Sequence, residues 1–182
     1  MKKSLRTQKL LERLKQHPKE KTLKDEKIVA KLAKFELFQK AKNIMFYIPI
    51  HGEVDLTSLF KQFPEKRFIL PRVNEKTLDL HYVKSLSNLV KGKFQLLEPK
   101  KTSPKAKIYD VEIVLVPGIV FSHDGHRIGY GKGFYDRLLK KLTCPKVGIA
   151  YDFQIIENMA AEEHDVPMDT IITEKMVVKT IH

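Results

Sequence analysis

A segment in the second half of the chain, RIGYGKGFYD at residues 127–136, combines glycines with two cationic side chains. Glycine tolerates positive backbone torsions, which lets neighbouring main-chain N–H groups turn toward one ligand, as a phosphate cradle requires. Arg127 can bind phosphate oxygens in a bidentate manner, whereas Lys132 supplies a mobile point charge. The segment therefore predicts a binding site for a phosphate or another anion.

The glycine spacing matches neither of two common phosphate-binding signatures. A Walker A loop needs Ser or Thr after its lysine, and a dinucleotide fingerprint places its third glycine three residues after the second. A flexible connector, whose glycines only pack close to a neighbour, is the alternative. The two cations and the predicted helix that follows the loop favour the anion site.

Two carboxylates are candidate ligands for a phosphate-bound magnesium ion. Asp136 falls in the first turn of the predicted helix, a position that suits a magnesium ligand and equally suits a plain N-terminal helix charge. Asp169 lies in the acidic stretch 157–169 and is a candidate second carboxylate, although solvated surface is the favoured interpretation there. His123 and His126 flank Asp124-Gly125, which favours a hairpin-like turn over a metal pair.

Hydrophobic periodicity predicts the elements that must position these residues. Apolar side chains at near-helical spacing predict helices over 4–16, 22–40 and 134–142, with a short helix from Asp55 to Phe63. Continuous or alternating apolar runs predict strands over 44–50, 67–73, 78–83, 111–118, 146–151 and 176–181. Residues 91–107 are rich in Lys and Pro and are interpreted as a surface loop.

The order of these elements predicts the fold class. Strands that alternate with helices indicate an α/β fold with a mostly parallel sheet covered on both faces. The length of 182 residues favours one domain spanning 1–182.

Positive charge is concentrated in two segments of a chain whose formal net charge is +12. Residues 1–42 hold 14 Lys and Arg against 5 Asp and Glu, and residues 91–107 hold 6 against 1, so the rest carries 12 − 9 − 5 = −2. These charges are interpreted as solvated faces, with attraction of an anionic small molecule as the sharper alternative. Nucleic acid is not expected as a partner, because the basic segments lack interleaved aromatic residues.

The cysteine content and the lengths of the apolar segments indicate the cellular compartment. The single cysteine, Cys144, excludes an internal disulfide framework and is interpreted as a core thiol in a reducing compartment. No segment approaches the twenty consecutive apolar residues of a membrane span. We therefore expect a cytoplasmic protein without membrane contact.

The stretch VPGIVFSHDGHRIGYGKGFYDRLL at 116–139 resembles the 5-formyltetrahydrofolate cyclo-ligase family, also called 5,10-methenyltetrahydrofolate synthetase. Three further segments resemble that family: KKSLR at 2–6, HGEVD at 51–55 and VPMDTIIT at 166–173. The resemblance implies a three-layer α/β/α sandwich of the type shared with sugar-phosphate isomerases and coenzyme A transferases. It also implies an ATP- and Mg²⁺-dependent ligase that converts 5-formyltetrahydrofolate to 5,10-methenyltetrahydrofolate, releasing ADP and phosphate.

The same resemblance assigns roles to individual residues. Residues that should bind ATP are Lys2, Lys3, Arg6, Arg127, Gly129, Gly131, Lys132, Gly133, Phe134 and Tyr135. Lys132 and Arg127 are the expected catalytic pair, with Lys132 stabilising charge on the transferring γ-phosphoryl group. Those expected to contact the folate are Ile48, Glu53, Tyr130 and Phe134, and those expected to hold Mg²⁺ are Asp136 and Asp169.

The expected partners are ATP and 5-formyltetrahydrofolate, with or without a polyglutamate tail, bound to a monomer. Two other classes of function remain open from the sequence. A nucleotide- or nucleic-acid-binding module would use the same loop without turnover, and a sugar-phosphate isomerase on a related fold would act without ATP.

Overall fold

A computed structural model describes residues 2–160, 162 and 165–180. The α-helices are α1 (Lys2–Leu14), α2 (Pro18–Lys34), α3 (Glu36–Lys40), α4 (Leu59–Gln62) and α5 (Phe134–Leu139). The strands of the first half are β1 (Asn43–Met45), β2 (Arg67–Asn74), β3 (Thr77–Val83), β4 (Leu89–Lys91) and β5 (Leu97–Pro99). Those of the second half are β6 (Ile113–Pro117), β7 (Val120–Ser122), β8 (Arg127–Ile128), β9 (Lys146–Ile149), β10 (Ile155–Ile156), β11 (Thr170–Ile172) and β12 (Val177–Lys179). Single turns of 3-10 helix lie at Leu86–Asn88, Ile108–Asp110 and Asp152–Gln154.

The main sheet has the strand order β12-β11-β9-β6-β1-β2-β3. Every pairing from β11 to β2 is parallel, and β12 and β3 add one antiparallel strand at each edge. The central strand β6 is buried along its whole length, in agreement with its continuous apolar run. The predicted mostly parallel sheet is therefore confirmed.

Alternate residues of the inner strands pack on opposite faces of this sheet, because side chains alternate along a strand. Ile44 and Leu115 pack into one core, together with Ile28, Leu32 and Phe38 from α2 and α3. Met45 and Val114 pack into a second core, together with Leu138 and Leu139 from α5. Helices thus cover both faces, and the expected three-layer α/β/α arrangement is confirmed.

The structure corrects the predicted bounds of the second helix. Pro18 begins α2, because proline at the first helical position sacrifices no intrahelical hydrogen bond. The predicted single helix over 22–40 is interrupted at Phe35, whose backbone is extended at φ −74° and ψ 121°. This break reorients the chain, so that Phe38 of α3 is fully buried in the first core.

The interpretation of 91–107 as a surface loop is wrong for its first half. β4 and β5 pair as an antiparallel hairpin, with Val90 opposite Glu98. Glu98 is buried and forms a 3.0 Å ion pair with Arg72 of β2, which attaches the hairpin to the main sheet. The Lys- and Pro-rich composition concealed this pairing, because a buried ion pair has no local sequence signal.

The turn between the two histidines agrees with its prediction. β7 and β8 pair antiparallel, with Val120 opposite Ile128, and Gly125 takes a positive φ of 89° in the connection. The short strands β10 and β11 were not predicted, and residue 181 of the predicted last strand lies outside the described residues. Cys144 is half-buried against the second core, and this burial raises the pKa of its thiol.

Candidate active site

A cavity of about 1120 Å³ lies at the carboxyl edge of the parallel strands. Its walls include Tyr47 and Ile48, which follow β1, and Pro117, which ends β6. α1 and the glycine loop 129–133 close one side, and the β4–β5 hairpin contributes to another. Ligand sites of open α/β sheets lie at this edge, so the position identifies the cavity as the candidate active site.

The glycine loop has the backbone conformation that its sequence predicts. Gly131 has φ +87° and Gly133, which precedes α5, has φ +69°. A Cβ atom on Gly131 would lie 3.1 Å from an Nη atom of Arg6, so this glycine also permits the close approach of α1. The loop and the N-terminal helix therefore form one wall of the cavity.

Several hydrogen-bond donors in this wall lack partners. The Nε atoms of Arg6 and Arg127 and the hydroxyl of Tyr135 are buried and make no hydrogen bond to any described residue. The remainder of the Arg127 guanidinium is fixed, since it donates to Asp136 at 2.7 Å and to the Pro117 carbonyl at 3.2 Å. Buried donors without acceptors are unfavourable, and an anionic ligand in this cavity would supply acceptors.

Two lysines in the cavity have partners that a ligand could replace. The Nζ of Lys132 lies 3.4 Å from the centroid of the Phe94 ring, a cation–π contact with a side chain that is 60% exposed. The Nζ of Lys2 forms ion pairs with Glu162 at 2.8 Å and with Asp165 at 3.2 Å. Both cations are partly solvated, so each can exchange its present partner for a phosphate.

A buried carboxylate, that of Glu53, also lines the cavity. Glu53 is 4% exposed, and its carboxylate accepts hydrogen bonds from the Ile50 N–H at 3.0 Å and the Tyr130 hydroxyl at 3.2 Å. Burial raises the pKa of Glu53 to about 7, because removal from water disfavours the charged form more than the two donors and nearby Arg13 and Arg127 favour it. One cavity therefore contains several cations and the Glu53 carboxylate, whose pKa is near neutral.

Arg13 is a site residue that the sequence interpretation missed. It is 1% exposed, and its guanidinium donates to the carbonyls of His51 and Gly118 and to the hydroxyl of Tyr130. The signal was present, because Arg6 and Arg13 are seven residues apart and therefore share one face of α1.

The structure places nearly all of the predicted site residues in this one cavity. Those that line it are Lys2, Lys3, Arg6, Ile48, Glu53, Arg127, Gly129, Tyr130, Gly131, Lys132, Gly133, Phe134, Tyr135 and Asp136.

Asp169 does not lie at this site, and the predicted pairing of Asp136 with Asp169 is corrected. Asp169 is exposed, precedes β11 and accepts the Lys146 N–H at 2.7 Å at the start of β9, which is the opposite edge of the sheet. Asp165, four residues earlier, lines the cavity instead. The sequence could not distinguish these two aspartates, because the path of the chain between them decides which one faces inward.

No group of three or more His, Cys, Asp or Glu side chains suited to a metal ion occurs among the described residues. The carboxylates that line the cavity beside the cations are Asp136, Glu162 and Asp165. Mg²⁺ commonly keeps several water ligands and uses only one or two protein carboxylates together with substrate phosphates. These donors therefore fit a magnesium ion delivered with a nucleotide better than a preformed cage.

The fold and the cavity together define an α/β protein that binds an anionic ligand at the carboxyl edge of its sheet. A sequence model of the 5-formyltetrahydrofolate cyclo-ligase family matches residues 1–174. The chain belongs to this family, and the family and enzyme class expected from its sequence are confirmed.

Individual relatives agree with this assignment. The 5-formyltetrahydrofolate cyclo-ligase of Mycoplasma pneumoniae is 33% identical, over 96% of this chain and 99% of its own length. That of Escherichia coli K12 is 30% identical, over 75% of this chain and 80% of its own length.

Solved structures show the same fold. The Aquifex aeolicus 5,10-methenyltetrahydrofolate synthetase is 38% identical with a TM-score of 0.91, covering 100% of this chain and 93% of that one. The Mycoplasma pneumoniae synthetase is 29% identical with a TM-score of 0.77, covering 95% of this chain and 98% of that one. Within the described ranges, no helix has the length and apolarity needed to cross a membrane.

Proposed function

We propose that this cavity binds ATP and 5-formyltetrahydrofolate together and that the chain converts them to 5,10-methenyltetrahydrofolate, ADP and phosphate. The observation that carries the proposal is the convergence of unpartnered guanidinium donors and the buried Glu53 carboxylate in one cavity. Its volume of about 1120 Å³ exceeds the usual range of about 300–1,000 Å³ for one small ligand. There is thus room for a nucleotide beside a folate.

The reaction divides into a phosphoryl transfer and a ring closure. The formyl oxygen attacks the γ-phosphorus, and the bond from that phosphorus to the β,γ-bridging oxygen breaks, which releases ADP. The nitrogen at position 10 then attacks the activated carbon and loses its proton, and phosphate leaves with the former formyl oxygen. Phosphoryl transfer requires mainly positioning and charge neutralisation, so we assign Lys132 and Arg127 to charge that develops on the transferring group.

The N-terminal helix and the glycine loop are the assigned triphosphate site. The Nε atoms of Arg6 and Arg127 supply donors that have no acceptor in the described part of the chain, and Lys2 and Lys132 supply mobile charge. Lys3 lines the same wall. When bound with the nucleotide, Mg²⁺ neutralises phosphate charge, and Asp136 and Asp165 are the carboxylates that would hold it.

The part of the cavity next to Glu53 is the assigned folate site. The Glu53 carboxylate accepts hydrogen bonds from N–H groups of the pterin ring, as a buried acceptor can. Ile48, Phe134 and Tyr130 line the space next to it. Arg137 and Lys140 line the cavity and are exposed, which supports binding of the polyglutamate tail of a folate. We also propose that the protein acts as a monomer in the cytoplasm.

An absorbance assay in the near-ultraviolet band of the methenyl product tests the proposal. Purified protein is mixed with 5-formyltetrahydrofolate, with ATP and Mg²⁺ present together or omitted singly. We expect an increase that requires both. A flat trace from folded protein that still binds ATP would overturn the proposal in favour of a nucleotide-binding module without turnover.

The metal assignment has its own test. Asp165→Asn is expected to raise the Mg²⁺ concentration needed for half-maximal rate by about tenfold, since it removes an inward-facing carboxylate. Asp169→Asn is the matched control, because it makes the same chemical change at the opposite edge of the sheet. Equal Mg²⁺ requirements for the two variants would contradict the assignment of Asp165.

A further inference from the structure

Arg13 connects three separate segments around the cavity. Its Nε donates to the His51 carbonyl at 2.9 Å, one Nη to the Gly118 carbonyl at 2.9 Å, and the other Nη to the Tyr130 hydroxyl. An arginine that is 1% exposed and pairs with no carboxylate among the described residues is costly to bury. A surface helix such as α1 has no packing need for a cation there, so the contacts suggest a role in the site.

The chain of hydrogen bonds continues from Tyr130 to the folate end of the cavity. Because the Arg13 guanidinium is only a donor, the Tyr130 oxygen must accept from it, which leaves the hydroxyl proton for Glu53. That proton is donated to Oε1 of Glu53 at 3.2 Å, while Oε2 accepts the Ile50 N–H at 3.0 Å. The direction of each donor is thereby fixed from the helix to the carboxylate.

We propose that Arg13 is a positioning residue of this enzyme, which through Tyr130 favours the charged form of the Glu53 carboxylate and orients it as an acceptor for the folate. The inference rests on the proposed function, because the folate is taken as the group that Glu53 binds. Arg13 is 1% exposed and is not among the residues that line the cavity, so the proposed role requires no contact between Arg13 and the substrate.

Other charged and titratable groups surround Glu53 and must be considered with Arg13. They are Tyr47 after β1, His51 on its own segment, Arg127 on β8, Tyr130 in the glycine loop and Tyr135 on α5. The three tyrosines have pKa values raised by burial and remain neutral. Arg127 is already paired with Asp136, so Arg13 is the cation whose influence on Glu53 is least compensated.

The test measures the ionisation of Glu53 in ligand-free protein, by carbon-13 NMR of glutamate labelled at the side-chain carboxyl. Arg13→Met and Tyr130→Phe are each expected to raise the titration midpoint of Glu53 by about 1 pH unit. The double variant should shift it by less than the sum, because the two residues act in series. Arg13→Lys, which keeps the charge, should give a smaller shift than Arg13→Met.

Two comparisons separate this role from a purely structural one. Tyr130→Phe leaves the backbone contacts of Arg13 in place, so it remains informative where Arg13→Met fails to fold. Lys15→Met removes a positive charge from an exposed position just after α1, away from the face of Arg13, and should leave the Glu53 titration unchanged. A lower melting temperature with an unshifted titration in Tyr130→Phe would overturn the proposal.

Steady-state rates connect the titration to the reaction. The acid limb of kcat/KM for the folate should move to higher pH with the NMR midpoint, while KM for ATP stays within about twofold. If the parent enzyme is active and the acid limb of its variants does not move, the proposed role of Arg13 is wrong and the proposed function stands. A parent without activity would overturn the proposed function, and the NMR titration would still decide whether Arg13 controls Glu53.

Discussion

Replacing Glu53 by Gln should make the ligand-free protein more stable at neutral and alkaline pH. The folded-state pKa of Glu53 is about 7, against an ordinary value of 4.5 in the unfolded chain. Between these two values the folded protein retains a proton that the unfolded chain releases, so the parent loses stability as the pH rises through this window. The pKa difference of about 2.5, at about 1.36 kcal/mol for each unit, corresponds to about 3 kcal/mol.

Urea unfolding at a series of pH values tests this magnitude. The free energy of unfolding of Glu53→Gln minus that of the parent should increase by about 3 kcal/mol between about pH 4 and about pH 8. Other carboxylates titrate in both proteins and cancel in the difference. Glu65→Gln, the same change at an exposed position, is the control and should show no such increase. Parallel stability curves for Glu53→Gln and the parent would refute the claim that burial, rather than paired charge, dominates this carboxylate.

Three further predictions concern the glycine loop, the sheet and the hairpin. Lys132→Ala should lower kcat about a hundredfold and change ATP affinity little, because its charge matters most as the phosphoryl group moves; equal turnover in both proteins would contradict it. Gly148→Ala should reduce the free energy of unfolding by about 1–3 kcal/mol, since the added Cβ would lie 2.7 Å from the Phe121 ring. Adding Phe121→Leu to this variant should recover part of the lost stability. If the losses of the two single variants simply add, the clash is not the cause. Arg72→Met should lower the free energy of unfolding in urea by about 3–5 kcal/mol, because it leaves Glu98 buried without its cation. The double variant Arg72→Met, Glu98→Gln should recover part of this stability. If it does not, the ion pair is not the cause of the loss.

The order of elements and the glycine loop were accessible from sequence because each has a local physical cause. β6 is an uninterrupted apolar run that begins directly after Glu112, and such a run is typical of a central parallel strand. Gly131 and Gly133 occupy left-handed conformations that other residues rarely adopt, so their presence signalled a special backbone at that point.

The errors arose where a distant contact, rather than local pattern, decides the outcome. The hairpin of β4 and β5 is attached through the Arg72–Glu98 ion pair, whose members are 26 positions apart in the chain. Asp165 lines the cavity, whereas Asp169 lies at the other edge of the sheet, and the path of the chain over 166–168 decides this difference. The spacing of Arg13 from Arg6 placed it on the same helix face, but its three acceptors come from distant segments that only the tertiary structure brings together.

The cavity contains buried groups with opposite hydrogen-bonding needs. The Nε atoms of Arg6 and Arg127 are buried without acceptors among the described residues, whereas the Glu53 carboxylate accepts hydrogen bonds only from neutral donors of that part of the chain. These groups cannot satisfy one another, because each is fixed by its own element: Arg127 by the Pro117 carbonyl and Glu53 by the Ile50 N–H. A single anion would supply acceptors only for the two arginines. A ligand that is only a hydrogen-bond donor would supply a partner only for the Glu53 carboxylate. A cavity with both demands is complementary to a pair of ligands, one rich in phosphate oxygens and one rich in ring N–H groups, held next to each other as their reaction requires.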